Sequence, residues 1–340
     1  MPGRPPYVPP PRASGPRRRL AGVTPARRLH VVSGKGGTGK TTVAAALALA
    51  LADEGRRTLL VEVEGRQGIA QVFETEALPY EERRIAIGPG GGEVFALAID
   101  AERALLDYLS MFYKLGGAGR ALRRIGAIDF ATTIAPGLRD VLLTGKACEA
   151  SRRRGQDGRY VYDAVVMDAP PTGRITRFLG VHHEVAGLAR VGPVHHQAQA
   201  VMRVLTSPET AVHLVTLLEE MPVQETVDGI AELRAAGLPT GTVVVNMVRP
   251  PLLARPPAPD AEPAALAAAL ARAGLPEAER IAGPLLAEGH AYAARLALEA
   301  EGRAALTGPG LPVRDLPLLG DGVDIAGLYR LARLLRDHEW

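Results

Sequence analysis

The chain has one cysteine, Cys148, in 340 residues. That excludes an internal disulfide and every multi-cysteine metal site, and it suits a reducing cytoplasm, where the protein is expected to reside. Cys148 itself reads as an inert thiol, buried or half-buried. Long apolar runs are also missing. No stretch of about 18 apolar residues without charge occurs, so no integral membrane segment is expected. Acid is absent from residues 1–30, which hold seven arginines, so the rest of the chain carries 3 − 7 = −4 and the basic balance belongs to the tail. Eight prolines punctuate the same stretch and no apolar core of a signal peptide interrupts it. Residues 1–28 therefore read as a disordered Pro/Arg-rich tail. Such a tail can touch nucleic acid or anionic lipid, but the core shows no nucleic-acid footprint, and nucleic acid is not an expected partner.

Lysine is the fourth scarcity. Of 40 basic residues only Lys35, Lys40, Lys114 and Lys146 are lysines, and two of them fall within six positions of each other. Arginine fills almost every other cationic role, so a compact ammonium has been kept where a point charge must sit beside phosphate. The segment around these two, Val31-Val-Ser-Gly-Lys-Gly-Gly-Thr-Gly-Lys-Thr-Thr42, is a G-x-x-x-x-G-K-[ST] loop with an extra lysine after its first glycine. An apolar strand precedes it and an alanine-rich helix follows, the context in which this motif binds phosphate. Gly34, Gly36, Gly37 and Gly39 let the backbone around Thr38 wrap an anion at the helix N-terminus. Lys40 is placed to reach the β- and γ-phosphates, Thr41 to ligate Mg²⁺, and Thr42 to support the α-phosphate.

Along the chain, strands and helices alternate. Strands are expected at 29–33, 58–64, 94–99, 161–168, 211–217, 241–246 and 312–316. Helices are expected at 41–54, 223–236, 262–300 and 322–337. Further helices at 101–155 and 174–206 should form an inserted helical subdomain on the carboxyl edge of the sheet. Such alternation predicts an α/β fold, a doubly wound, mostly parallel sheet of the P-loop NTPase type, as one domain over 29–338. The Pro-rich stretch 249–263 reads as a surface connection.

Three strand ends converge on the carboxyl edge, where α/β ligands bind. The first, Val61-Glu-Val-Glu64, is followed by Gly65-Arg-Gln-Gly68. Glu64 can position or deprotonate an attacking water. The alternative for it is a solvated acid at a strand end, and Glu62 alternates onto the same face as a weaker competitor. Tyr162-Asp-Ala-Val-Val-Met-Asp168, followed by Ala-Pro-Pro-Thr-Gly-Arg174, resembles a Walker B strand whose aspartate would hold a Mg²⁺ water. Thr242-Val-Val-Val-Asn246 ends in a side-chain amide able to donate and accept, as an adenine edge requires. The pairs His182-His183 and His195-His196 invite a metal reading, but neighbours on a helix point about 100° apart and no acid or cysteine cluster joins them. Met111, Phe112 and Tyr113 read as packing, or, if exposed, as part of a protein-binding groove.

Taken together, GKGGTGKTT, VEVEGRQGIAQVF, PGLRD at 136–140, MDAPPTG, VVVN and LPLLGDGVDIAGL resemble the ArsA family of deviant-Walker ATPases over about residues 29–335. Within it the chain is most similar to actinobacterial anion-transporting-ATPase members, relatives of the ATPase that targets tail-anchored proteins. The resemblance implies ATP and Mg²⁺ as cofactors and a nucleotide-sandwich dimer, either a homodimer or a heterodimer with a paralogous ATPase. Lys35 would then act on the partner's ATP as an arginine finger does. It also implies that Asn246 and the loop Pro317 to Leu319 contact adenine, and that a helical groove binds a protein client. Departures matter as well. The family usually carries Asp-Pro-Ala-His where Glu64, Gly65, Arg66 and Gln67 stand here. The presumed acid is one methylene, roughly 1.5 Å, longer, and misplacement of that order can cost about 10²-fold, which predicts slow hydrolysis. Arg174 replaces a usual histidine. With one cysteine, neither the family's three-cysteine arsenite site nor its Cys-x-x-Cys zinc clasp can form.

The leading expectation is a dimeric ATP-hydrolysing switch that couples ATP to binding and release of a protein client or membrane partner. Alternatives are the ATPase subunit of an arsenite-type efflux system, a weakly hydrolysing subunit paired with a paralogue, and a partitioning or division-site regulator.

Overall fold

The computed structural model describes residues 27–104, 106–107, 137–188, 193–253, 257–258, 260–336, 338 and 340. Eight strands form one sheet: β1 (Leu29–Gly34), β2 (Arg57–Glu62), β3 (Arg83–Ile87), β4 (Glu93–Ala98), β5 (Ala164–Asp168), β6 (Thr210–Thr216), β7 (Thr240–Val248) and β8 (Val313–Pro317). Their order is β3-β4-β2-β5-β1-β6-β7-β8. Every neighbouring pair is parallel except β3 and β4. The central strands are buried along their whole length, because parallel strands carry helices on both faces and must be apolar on both.

On one face lie α1 (Lys40–Leu51), α2 (Gly68–Val72) and α9 (Ile325–Arg336). The other face carries α3 (Leu138–Arg152), α4 (Thr172–Leu188), α5 (Pro193–Leu205) and α6 (Glu220–Ala235). Between β7 and β8 the chain runs through α7 (Pro263–Arg272) and α8 (Ala278–Thr307). Helix α1 is buried over eight consecutive residues, five of them alanine, so it lies close against the sheet and holds the loop before it at a fixed height. Helix α9 buries Leu328, Leu331, Ala332 and Leu335, spaced i, i+3, i+4 and i+7, and packs that stripe on α1. Removing a buried leucine such as Leu331 costs about 2–5 kcal/mol.

Among the described residues the expected strands and helices appear at nearly the expected places, and two elements were not expected. Strand β3 pairs antiparallel at the sheet edge, with Arg83 and Arg84 exposed and a register irregularity between Arg84 and Ala86. Its charged, half-exposed sequence is that of a protected edge and carries no apolar run. Helix α2 is too short to show a helical period. Arg28, read as the end of the tail, is anchored: its guanidinium donates to the Ser151 and Tyr162 carbonyls and lies over the Tyr160 ring. Residues 1–26, Met111 to Tyr113, most of the region 101–136 and the His182-His183 and His195-His196 side chains lie outside the described residues.

Candidate nucleotide and cation site

The strand order reverses direction around β1: the chain leaves it for β2 on one side and, after β5, continues with β6 on the other. In an open α/β sheet such a reversal opens a crevice at the carboxyl ends. The Gly34–Thr42 loop fills this point, between β1 and α1. Gly34 sits at φ +157, and a Cβ there would lie 2.1 Å from the Val215 carbonyl of β6, so no side chain fits. Gly39 is left-handed at φ +84 and starts α1. Thr38 is held on both sides: its hydroxyl donates to the Lys35 carbonyl at 2.8 Å, and its own carbonyl accepts from Asn246 Nδ2 at 2.9 Å. Helix α1 has no side-chain cap and no acid in its first turn, which leaves its N–H groups for an anion.

The two lysines of the loop differ in surroundings. Lys40 opens α1, and its charge acts on the Asp168 carboxyl. Lys35 donates to Glu225 Oε1 of α6 at 2.5 Å, with both side chains about one-third exposed. Sequence reading missed Glu225, since an acid on a helix gives no sign of its distant partner.

Asp168 ends β5, and Thr41 Oγ1 donates to its Oδ2 at 2.6 Å, joining the loop helix to the Walker B-like strand. Asp168 Oδ1 is buried with no hydrogen-bond partner. Burial pushes this carboxyl up to about 6, against the Thr41 hydrogen bond and the Lys40 charge, while Glu62 and Glu64 add to the upward push. Beside it in register stands Glu62, 2% exposed, whose Oε2 accepts from Ile69 N at 3.2 Å and whose Oε1 is likewise buried without a partner. The Thr41 hydroxyl and the Asp168 carboxylate are hard oxygens with unfilled acceptor capacity and fit Mg²⁺. Among the described residues no group of three or more His, Cys, Asp or Glu could hold a metal ion.

Glu64 lies past the end of β2, its side chain 22% exposed and 3.9 Å from Arg66 Nη2. Gln67 ties its amide to the Leu78 backbone. Left-handed at φ 57, it starts α2, accepts from Leu78 N at 2.7 Å and donates to the Leu78 carbonyl at 3.3 Å. Thr172, at the start of α4, is buried, and its methyl would stand 2.4 Å from a Cβ at Gly229 of α6. The loop after the Walker B-like strand thus touches the helix that holds Lys35.

On the far side of the loop a cavity of about 770 Å³ opens between α6, α8 and the ends of β7 and β8. Asn246, Met247, Leu218, Leu298 and Leu318 line it, with Arg249 and Arg295. Asn246 is thus shared between the cavity and the loop. Pro317 ends β8, while Leu319 packs toward α9, where a Cβ on Gly327 would meet it at 2.8 Å. Its neighbour Leu318, 41% exposed, faces the cavity. Cys148 is fully buried in the core, and burial pushes its thiol up to about 12, so it is unreactive. Among the described residues no helix is long and apolar enough to cross a membrane.

Comparison with known proteins shows the family. Residues 27–202 match the family described as anion-transporting ATPase. The ATPase BagA of Mycobacterium tuberculosis is 54% identical over 324 residues, covering 93% of this chain and 94% of that protein. The arsenical pump-driving ATPase of Escherichia coli is 27% identical over 64% of this chain and 39% of its own length. The ATPase GET3 of Eremothecium gossypii is 24% identical over 64% of this chain and 70% of its own. With the family match spanning half of the sequence and a close relative aligned over nearly all of it, the chain belongs to the anion-transporting ATPase (ArsA) family.

Proposed function

We propose that the chain binds and hydrolyses ATP with Mg²⁺ and works as a dimeric switch whose nucleotide state controls a protein client or a membrane partner. The observation that carries the reading is the position of Lys35 on the rim of the loop, held by one half-exposed ion pair with Glu225. An ammonium there can leave its own chain at small cost and reach a nucleotide bound across a two-fold axis. Mg²⁺, when bound, neutralises charge that develops on the transferred phosphoryl group. Thr41 and Asp168 would hold it. Lys40 would sit on the β- and γ-phosphates, the backbone of Gly34 to Gly39 would wrap them, and Thr42 would support the α-phosphate. Glu64 would orient the attacking water, and Asn246 with Pro317 and its loop would border the base.

The contact of Thr172 with Gly229 supports a route outward. A γ-phosphate sensed after Asp168 would move α4 against α6, and α6 carries Glu225 and one wall of the cavity, whose lining is mixed apolar and charged. In that reading hydrolysis reopens the pair and releases the client in a reducing cytoplasm. Sedimentation of the purified chain tests it. ATP with Mg²⁺ should produce a dimer that ADP does not, and Lys35→Ala should remain monomeric while binding ATP. A monomer under both nucleotides would sink the switch.

A second reading, a weakly hydrolysing subunit paired with a paralogue, is favoured by Gln67, whose amide is committed to Leu78, and by the half-exposed Glu64. Single-turnover hydrolysis with and without the paralogue separates the two. Hydrolysis stimulated by arsenite or antimonite would instead favour an anion-efflux subunit.

A further inference from the structure

Glu62 plays no part in the nucleotide chemistry proposed above, yet it is the most deeply buried acid beside the loop, at 2% exposed. It ends β2 and is paired in register with Asp168 on β5, while Val32 of β1 is paired with Asp168 on the other side. Adjacent strands lie about 4.8 Å apart and in-register residues face the same way. Val32 and Leu60, two residues before Glu62, both belong to the core under α1, so Glu62 and Asp168 share the α1 face with Thr41. Each carboxylate spends one oxygen on a protein donor: Asp168 Oδ2 on the Thr41 hydroxyl, Glu62 Oε2 on Ile69 N. Each leaves the other oxygen buried and unpartnered.

An unpartnered buried carboxylate oxygen is costly, and two on neighbouring strands repel. Folding keeps such a pair when a proton or a cation sits between them. We propose that Glu62 is a second acidic group at the Mg²⁺ site, its free oxygen accepting from water held on the cation while Asp168 lies on the same ion. This rests on the nucleotide reading and adds a residue to it. Mg²⁺ retains several waters and takes few protein carboxylates, so an outer acceptor of this kind is compatible with its chemistry. Because the other Glu62 oxygen holds Ile69 N at the start of α2, cation binding would also steady the segment from Gly65 to Ile69 that carries Gln67 and follows Glu64. Glu62 is then a positioning residue: it touches neither phosphate nor attacking water.

The test is Mn²⁺ binding to the full chain, read by electron paramagnetic resonance of the free ion, with and without ADP. Wild type should show one saturable site per chain. Glu62→Gln, which keeps the acceptor for Ile69 N, should weaken that site about tenfold or more, as loss of a charge-assisted contact does. Glu62→Asp, which keeps the charge, should lose less. Mn²⁺ should raise the melting temperature of wild type and of Glu62→Asp more than that of Glu62→Gln, so a structural role alone is distinguished. Equal Mn²⁺ affinity in wild type and Glu62→Gln, or no saturable site in wild type, overturns the proposal. So does a Glu62→Gln chain that melts higher with unchanged Mn²⁺ affinity, which would mean that the pair shares a proton. ADP binding in EDTA is measured separately: its loss in wild type counts against the nucleotide reading, while the Mn²⁺ titration still decides the role of Glu62.

Discussion

The two sides of the Gly34–Thr42 loop are built differently. On the α1 side, Thr41, Asp168 and Glu62 are brought together by strand register and closed in by packed helices. On the rim, Lys35 is paired with Glu225, and both side chains are about one-third exposed. Burial makes the first side rigid and electrostatically strong, since charges out of water interact more and every unpaired atom is costly. Exposure makes the second side cheap to rearrange, because an ion pair in water contributes roughly 0.2–1 kcal/mol. In the proposed function the loop would couple a fixed acidic corner to a movable lysine, the combination that a switch closed by a partner requires.

The sharpest way to break this comparison is Lys35→Ala. If the exposed lysine completes a partner's site, steady-state phosphate release should fall about 10³–10⁵-fold, the range for a trans-acting cationic finger, with ATP affinity nearly unchanged. A loss of ATP affinity equal to the loss of turnover would make Lys35 an ordinary ligand of its own chain. Asp168→Asn attacks the buried corner, and here hydrolysis should fall about 10²–10³-fold while ADP still binds in EDTA. Glu64→Asp restores the shorter acid and should raise single-turnover hydrolysis by up to about 10²-fold; an unchanged rate would remove Glu64 from the chemistry.

The buried side also has an acid limit. His30 and His213 lie fully buried, ring to ring across β1 and β6, joined at 3.1 Å. Thr242 N donates to His213 Nδ1 at 3.0 Å, so His213 is neutral and gives its remaining proton to His30. Burial, with the Arg27 charge, holds His30 down to about 4, and burial with the His30 and Arg27 charges pulls His213 well below its ordinary value. At these two residues the unfolded chain then binds more protons below pH ~6.5, so their contribution to stability is complete above that value and is lost as pH falls from about 6.5 toward 4. His30 alone contributes a loss of roughly 3 kcal/mol over this window. Asp168, raised to about 6, gains stability as pH falls through much of the same window and opposes this loss, so the His30 contribution is read as the difference between the melting curves of wild type and His30→Gln from pH 7 to 4.5. The smallest effect is expected on the rim: Glu225→Gln frees Lys35 and should tighten ATP-driven dimerisation by no more than about fivefold. A tenfold or larger change would mean that the rim pair is stronger than its exposure allows.

Particular residues show how far the sequence could be read. The Gly34–Thr42 loop, the strand ending at Asp168 and the one ending at Asn246 are legible because their signals are local: glycines at turn positions, apolar runs closing on one polar residue. Strand β3 is not legible, since an edge strand defended by Arg83 and Arg84 has no apolar period. Gln67 has the look of a site residue and proves to be a tie to Leu78, a partner eleven positions along that no pattern marks. Asn246, expected beside adenine, is a clamp on the loop carbonyl of Thr38.

By itself the sequence determined that a phosphate cradle exists, where it lies and that it opens an α/β sheet, because those properties depend on contacts within a few residues. Only the tertiary structure decided who stands beside it. Glu62 meets Asp168 because β2 lies next to β5, and Lys35 meets Glu225 because α6 crosses the rim of the same crevice. Those neighbours follow from the order in which distant strands pair, which is set by burial of the whole sheet rather than by any local run of residues.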